Sequence, residues 1–156
     1  MTCPSPLIFT YNTLLVAKGF HQRPDIDFTE TFSPIVKPVT IRLILTLAVT
    51  NGWPLRQLDV NNAFLQGSLS DDVYMTQPLG FVDSTKPHHV CKLQKAIYGL
   101  RQAPRAWYNE LRSFLLATGF VNSQCDTSLF ILRRSGHTLY LLVYVDDIII
   151  TGSSKS

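Results

Sequence analysis

The sequence predicts an α+β fold, an antiparallel sheet with helices packed on one of its faces. Two stretches carry helical spacing, around residues 40–51 and 103–119. Between and after them lie short runs with strand character, the last of which, Leu139 to Ile150, folds back on itself. Elements therefore follow the order helix, strand, strands, helix, strands, which suits helices gathered against an antiparallel sheet. The chain has 156 residues, 46% of them apolar and 16% charged. That is one core-rich domain, since soluble domains usually carry about 25% charged residues.

The elements follow in order. Residues 1–14 (MTCPSPLIFTYNTL) show no period and hold two prolines, so they are read as an irregular lead-in. The first helix is expected to be capped by Thr40, with Ile41, Ile44, Leu45 and Ala48 on one side and Asn51-Gly52 as its stop. A strand from Leu55 to Val60 puts Leu58 and Val60 opposite Gln57 and Asp59, and Asn61-Asn62 turns the chain toward Phe64. Val73-Tyr74-Met75 and Val90 to Leu93 are short strands joined by a Pro/Gly/Asp-containing excursion. The second helix is expected to open at Ala103-Pro104, to bury Trp107, Leu111, Phe114 and Leu115, and to close at Gly119. Leu129 to Leu132 is a further strand, and the final hairpin is expected to turn at Asp146-Asp147.

Net charge is +3, too small to announce a nucleic-acid binder, but its distribution is uneven. Between Lys86 and Arg112 there are six basic residues and one acid, Glu110, with Tyr98, Trp107 and Tyr108 interleaved. Such a stretch is either a solvated basic face or a surface that tracks phosphates and stacks on bases. Cys3, Cys91 and Cys125 form no CxxC pair, and His88-His89-x-Cys91 is too sparse for zinc. Scattered thiols fit a reducing compartment. No Lys or Arg precedes Lys18, and no apolar run approaches the roughly 20 residues of a membrane span. A soluble, intracellular protein without a membrane partner is expected.

The chemistry centres on Tyr144-Val145-Asp146-Asp147. Two adjacent carboxylates in an apolar run are either a turn with its acids in water or a site for a cation. Asp59, on the polar side of its strand and 87 residues before Asp146, is a candidate third carboxylate. Were that strand to lie beside the hairpin, the three would favour hard divalent ions, Mg²⁺ or Mn²⁺, in a two-metal arrangement.

Four stretches, LVAKGFHQRPDIDFTETFSPIVKPVTIRLILTLAV, QLDVNNAFLQGSLSDDVYM, KAIYGLRQAPRAWYNELRSFLLATGF and LYLLVYVDDIIITG, run in order from residue 15 to residue 154. Together they resemble the reverse transcriptase of copia-type LTR retrotransposons. The resemblance implies a right-hand polymerase palm with part of the fingers. It implies two Mg²⁺ ions (or Mn²⁺) held by Asp59, Asp146, Asp147 and the Val60 carbonyl, with the three aspartates as the catalytic carboxylates. Phe64, five residues beyond Asp59, matches the position that screens the sugar of the incoming nucleotide. Gly99 and Lys18 are placed by the same resemblance at the nucleotide. Arg101, Gln102, Arg105 and Tyr144 are placed at the template and primer. The implied partners are an RNA or DNA template-primer and deoxynucleoside triphosphates.

The sequence departs from the family at two places. Leu14 stands where an Arg usually meets the triphosphate, and Leu cannot pair with phosphate. The chain also stops at Ser156, just past the hairpin, without a thumb, RNase H, integrase or protease region. The expectation is a retroelement fragment whose catalytic motifs remain and whose processive synthesis is lost. A non-catalytic nucleic-acid-binding relic and an unrelated two-metal nuclease are the alternatives.

Overall fold

The computed structural model describes residues 15–153. The lead-in, the expectation for Leu14 and the last residues of the chain lie outside them. Helix α1 (Pro38–Asn51) and helix α2 (Ala103–Ala117) accompany strands β1 (Leu55–Asp59), β2 (Ser68–Thr76), β3 (Val90–Lys95), β4 (Val121–Asn122), β5 (Leu129–Arg134), β6 (His137–Tyr144) and β7 (Asp147–Gly152). Five strands make one antiparallel sheet in the order β1-β7-β6-β5-β4, and β2 pairs with β3 in a separate two-stranded sheet. The fold class is therefore α+β with antiparallel sheets. The excursion between residues 60 and 103 is a small sheet of its own.

One expectation is corrected: the helices do not share a face. Tyr108 and Leu115 of α2 pack with Phe130, Leu141, Val143 and Ile148. Ile44 of α1 packs with Leu129 and Leu142. Neighbours along a strand point to opposite faces, so α1 and α2 lie on opposite sides of the sheet. The reason is in the strands. Leu141, Leu142 and Val143 are consecutive and all buried. A strand that is apolar on both faces needs both covered, as in sheets that have no solvated side.

Helix boundaries follow local chemistry. Pro38 occupies the first turn of α1, where its missing N–H costs nothing, so Lys37 rather than Thr40 is the cap residue. The capping carboxylate comes from elsewhere: Asp126 Oδ2 accepts the Lys37 N–H at 2.9 Å. At the other end Gly52 takes φ 64, the left-handed conformation that closes helices. Helix α2 opens at Ala103-Pro104 as expected. Phe114, however, is 63% exposed, while Tyr108 takes the buried place expected for it. Tyr108 lies seven residues before Leu115, two turns along the same face, whereas Phe114 has rotated out of it.

A third cluster joins the small sheet to the start of α2. Val73, Ala96, Leu100 and Ala103 are buried there, with Phe64, Ala17 and Leu93 against them. Among the described residues no helix is long and apolar enough to cross a membrane.

Candidate active site

Strand β1 reaches the edge of the large sheet because its partner β7 runs antiparallel to it, with Leu58 opposite Ile148 and Asp59 opposite Asp147. The β6–β7 hairpin closes with Tyr144 opposite Asp147. Its loop is therefore Val145-Asp146, one residue earlier than the expected Asp146-Asp147. Asp147 is the first residue of a strand, and the tip carries one acid and one valine. Beyond β1 the chain stays in contact, since the Val60 N–H donates to the Asp146 carbonyl at 3.0 Å. Two segments 87 residues apart in sequence thus meet at one end of the sheet.

The expected convergence of three carboxylates is corrected in its detail. Asp59 is exposed, and Asp146 and Asp147 are half-buried. Asp147 Oδ1 accepts a hydrogen bond from Gln57 Nε2 at 3.0 Å. Among the described residues no group of three or more His, Cys, Asp or Glu side chains is gathered closely enough to hold a metal ion. Asp59 and Asp146 do share a target. The Tyr98 phenol is pushed above its usual pKa, first by burial and then by the negative charges of Asp146 and Asp59, with the Ala63 backbone opposing the shift. The arrangement is Asp59, Asp146 and Asp147 at one end of the sheet, with the β1 end bonded to the Asp146 carbonyl and Asp147 bonded to Gln57.

As ligands, these oxygens suit a hard divalent cation in chemical type. The ion pairs among the described residues are Arg23–Asp27, Lys92–Asp72 and Arg105–Glu30, and none consumes Asp59, Asp146 or Asp147. The Val60 carbonyl accepts the Ala63 N–H at 3.2 Å. A carbonyl oxygen has two lone pairs, so that bond leaves it a second acceptor site.

Phe64 stands beside Tyr98. The 3₁₀ turn Ala63–Gln66 follows Asn62, which takes φ 55, and brings the Phe64 ring to 4.6 Å from that of Tyr98. Gly99 adopts φ 88, and a Cβ there would collide with the Ala17 carbonyl. The crossing is fixed by the Ala17 N–H donating to the Tyr98 carbonyl at 2.7 Å. Lys18, next in the chain, is exposed. Gly99 thus packs against Ala17, the residue before Lys18, with Tyr98 next to it in the chain.

The three polar residues expected at the template divide. Arg101 is exposed, its Nε donating to the Gly19 carbonyl at 3.0 Å and its guanidinium lying 6.0 Å from the Phe28 ring centre. Arg105 is half-buried and paired with Glu30. For Gln102 the expectation is corrected. It is 4% exposed, its Nε2 donates to the Asp27 carbonyl at 3.2 Å, and its Oε1 accepts from Gln22 at 2.9 Å. Both polar ends are bonded inside the protein rather than offered to solvent. Tyr144 is half-exposed at the mouth of the hairpin.

Sequence reasoning missed Tyr98 as a neighbour of the carboxylates. It lies 39 residues from Asp59 and 48 from Asp146, and no spacing rule links them. Trp107, expected as core or as a base-stacking aromatic, instead donates its indole Nε1–H to the Val145 carbonyl at 2.8 Å.

Residues 7–156 match the family described as reverse transcriptase (RNA-dependent DNA polymerase). The Retrovirus-related Pol polyprotein from transposon RE1 of Arabidopsis thaliana is 64% identical over 146 residues, 94% of this chain and 10% of that protein. The Pol polyprotein from transposon RE2 of the same plant is 64% identical over 143 residues, 92% of this chain and 10% of its own length. That from transposon TNT 1-94 of Nicotiana tabacum is 46% identical over 146 residues, 93% of this chain and 11% of its own. The chain spans about a tenth of the length of these relatives. No solved structure matches it. With its motifs in order and nearly the whole chain matched, this protein belongs to the reverse transcriptase family of copia-type retrotransposons.

Proposed function

We propose that Asp59 and Asp146 are the metal-holding carboxylates of an RNA-directed DNA polymerase whose palm and part of whose fingers this chain supplies. The observation that carries the reading is their meeting from 87 residues apart, where Asp59 pairs opposite Asp147 and the next residue, Val60, bonds to the Asp146 carbonyl. Asp59, Asp146, the Val60 carbonyl and, once released from Gln57, Asp147 would hold two divalent ions, Mg²⁺ or Mn²⁺. When bound, the ions supply activation of the attacking oxygen and neutralisation of the leaving pyrophosphate.

The remaining work falls to the chain itself. A primer 3′-hydroxyl attacks the α-phosphate of a deoxynucleoside triphosphate, and one P–O bond forms as the bond to pyrophosphate breaks. Phe64 screens the sugar, and the Gly99 crossing lets backbone approach the nucleotide. Lys18 offers a charge to the triphosphate. Arg101 faces the template, while Arg105 reaches it only by leaving Glu30. Tyr144 borders the primer end. Positioning and fixed charge carry most of such a reaction.

Binding tests the reading before catalysis does. Mn²⁺ binding by equilibrium dialysis is expected for the chain, lost in Asp59→Asn and Asp146→Asn, and kept in Asp72→Asn. Primer extension with the same proteins reads the chemistry. Incorporation that persists in Asp146→Asn ends the catalytic reading.

A non-catalytic role on nucleic acid has one observation in its favour, the diversion of Asp147 to Gln57. Its signature is salt-sensitive binding to an RNA–DNA duplex that needs Arg101 and Arg105 and ignores Asp59 and Asp146.

A further inference from the structure

We infer that Trp107 is a positioning residue for Asp146: its indole N–H fixes the peptide linking Val145 to Asp146, and with it the direction in which the Asp146 carboxylate is presented. The inference rests on the reading of Asp146 as a metal-holding carboxylate.

A two-residue hairpin loop takes one of two primed turns, which differ by rotation of the peptide between the two loop residues. In one form both residues have positive φ; in the other only the first does. Val145 has φ 58, and Asp146 is not among the positive-φ residues. That is the second form, which normally wants Gly at its first position. Val is a poor substitute, because a β-branched residue at positive φ is crowded against its own backbone. Nothing in the Val145-Asp146 pair itself selects this turn, so the selection must come from outside the hairpin.

Trp107 provides it. The atom it holds, at 2.8 Å, is the carbonyl of that same central peptide. Trp107 is 6% exposed, so its N–H has no solvent to turn to, and a buried donor left unpaired is costly. Rotating the peptide would break this bond and carry Asp146 to positive φ, swinging its Cβ away. The next peptide is held as well, since the Asp146 carbonyl accepts the Val60 N–H at 3.0 Å. The carboxylate is thus presented from a residue pinned by α2 on one side and by the end of β1 on the other.

Nuclear magnetic resonance on the whole chain tests this without recourse to activity. In the unmodified protein the Trp107 indole proton is expected to exchange slowly with solvent, and exchange at the rate of free tryptophan would overturn the inference. Trp107→Phe keeps a ring in the pocket and removes the donor. It is expected to shift the Asp146 and Asp147 amide resonances, to weaken Mn²⁺ binding by about fivefold, and to lower the melting midpoint by about 5 °C or less. Leu115→Ala, a buried cut on the same helix, is expected to lower the midpoint while leaving the Asp146 amide and Mn²⁺ affinity in place. A folded Trp107→Phe protein with unmoved Asp146 resonances and unchanged Mn²⁺ affinity would overturn the inference. Should the unmodified chain bind no Mn²⁺, the metal reading fails, and the Asp146 amide shift alone decides whether Trp107 sets the turn.

Discussion

Gly99 shows how one residue can be fixed by two separate demands. Its φ of 88 excludes ordinary side chains, and the Ala17 carbonyl occupies the space a Cβ would take. Gly99→Ala is therefore expected to cost about 3 kcal/mol or more, the left-handed penalty plus the clash, read as a lowered midpoint in urea unfolding. The resemblance places Gly99 at the nucleotide; that the Ala17 backbone would crowd it was not legible in the sequence. Phe64 makes a contrasting case. Its ring rests against Tyr98 and the small-sheet cluster, and its proposed role is to screen the sugar. Phe64→Ala is expected to relax discrimination against ribonucleotides roughly 10–100-fold, measured as the ratio of incorporation efficiencies in the active polymerase. Unchanged discrimination would assign the ring to packing alone. The family resemblance places Gln102 at the template, yet here its amide is buried and bonded within the protein. Only the tertiary neighbours Gln22 and Asp27 reveal that its bonds are internal.

Among the elements, α1 depends on a residue far from it in sequence. Asp126 is 5% exposed and accepts hydrogen bonds from the Lys37 and Ser128 N–H groups. Burial by itself would raise its pKa. The bonds from the Thr40 hydroxyl, Lys37 N–H and Ser128 N–H, with the Lys37 charge, outweigh it and hold the carboxyl below its ordinary value. A carboxyl depressed in the folded state contributes stability that is full above its unfolded pKa of about 3.9 and lost as pH falls through the folded value. Asp126→Asn is expected to cost about 1.5–3 kcal/mol at neutral pH and to flatten the decline in stability below about pH 4. Thermal melts from pH 7 to pH 3 check both. The first turn of α1 was legible as a helix start, but its cap was sought in Thr40, a local residue, when the capping carboxylate arrives from the loop before β5. In the hairpin, likewise, period-two reading found both strands and missed the turn by one residue. Sequence gives no sign that Val145 would accept positive φ, because the Trp107 bond that holds the Val145 carbonyl belongs to another element.

For the molecule as a whole, the large sheet is the structural centre, covered by a helix on each face. Phe130 is fully buried between α2 and the sheet. Phe130→Ala is expected to cost about 3–5 kcal/mol, a large part of a typical 5–15 kcal/mol total, seen as a collapse of the chemical-denaturation midpoint. Phe114→Ala, exposed on the same helix, is expected to change stability by less than about 0.5 kcal/mol. Equal losses from the two would refute the placement of α2. By itself the sequence determined the family, the α+β class and nearly every element, because motif, periodicity and turn chemistry are local properties of a chain. Only the tertiary structure decided that the helices take opposite faces, that the end of β1 bonds to the Asp146 carbonyl while Asp147 bonds to Gln57, and that Trp107 grips the hairpin tip. Those facts are contacts between segments tens of residues apart, and they are settled by which faces pack together and which buried polar groups find a partner.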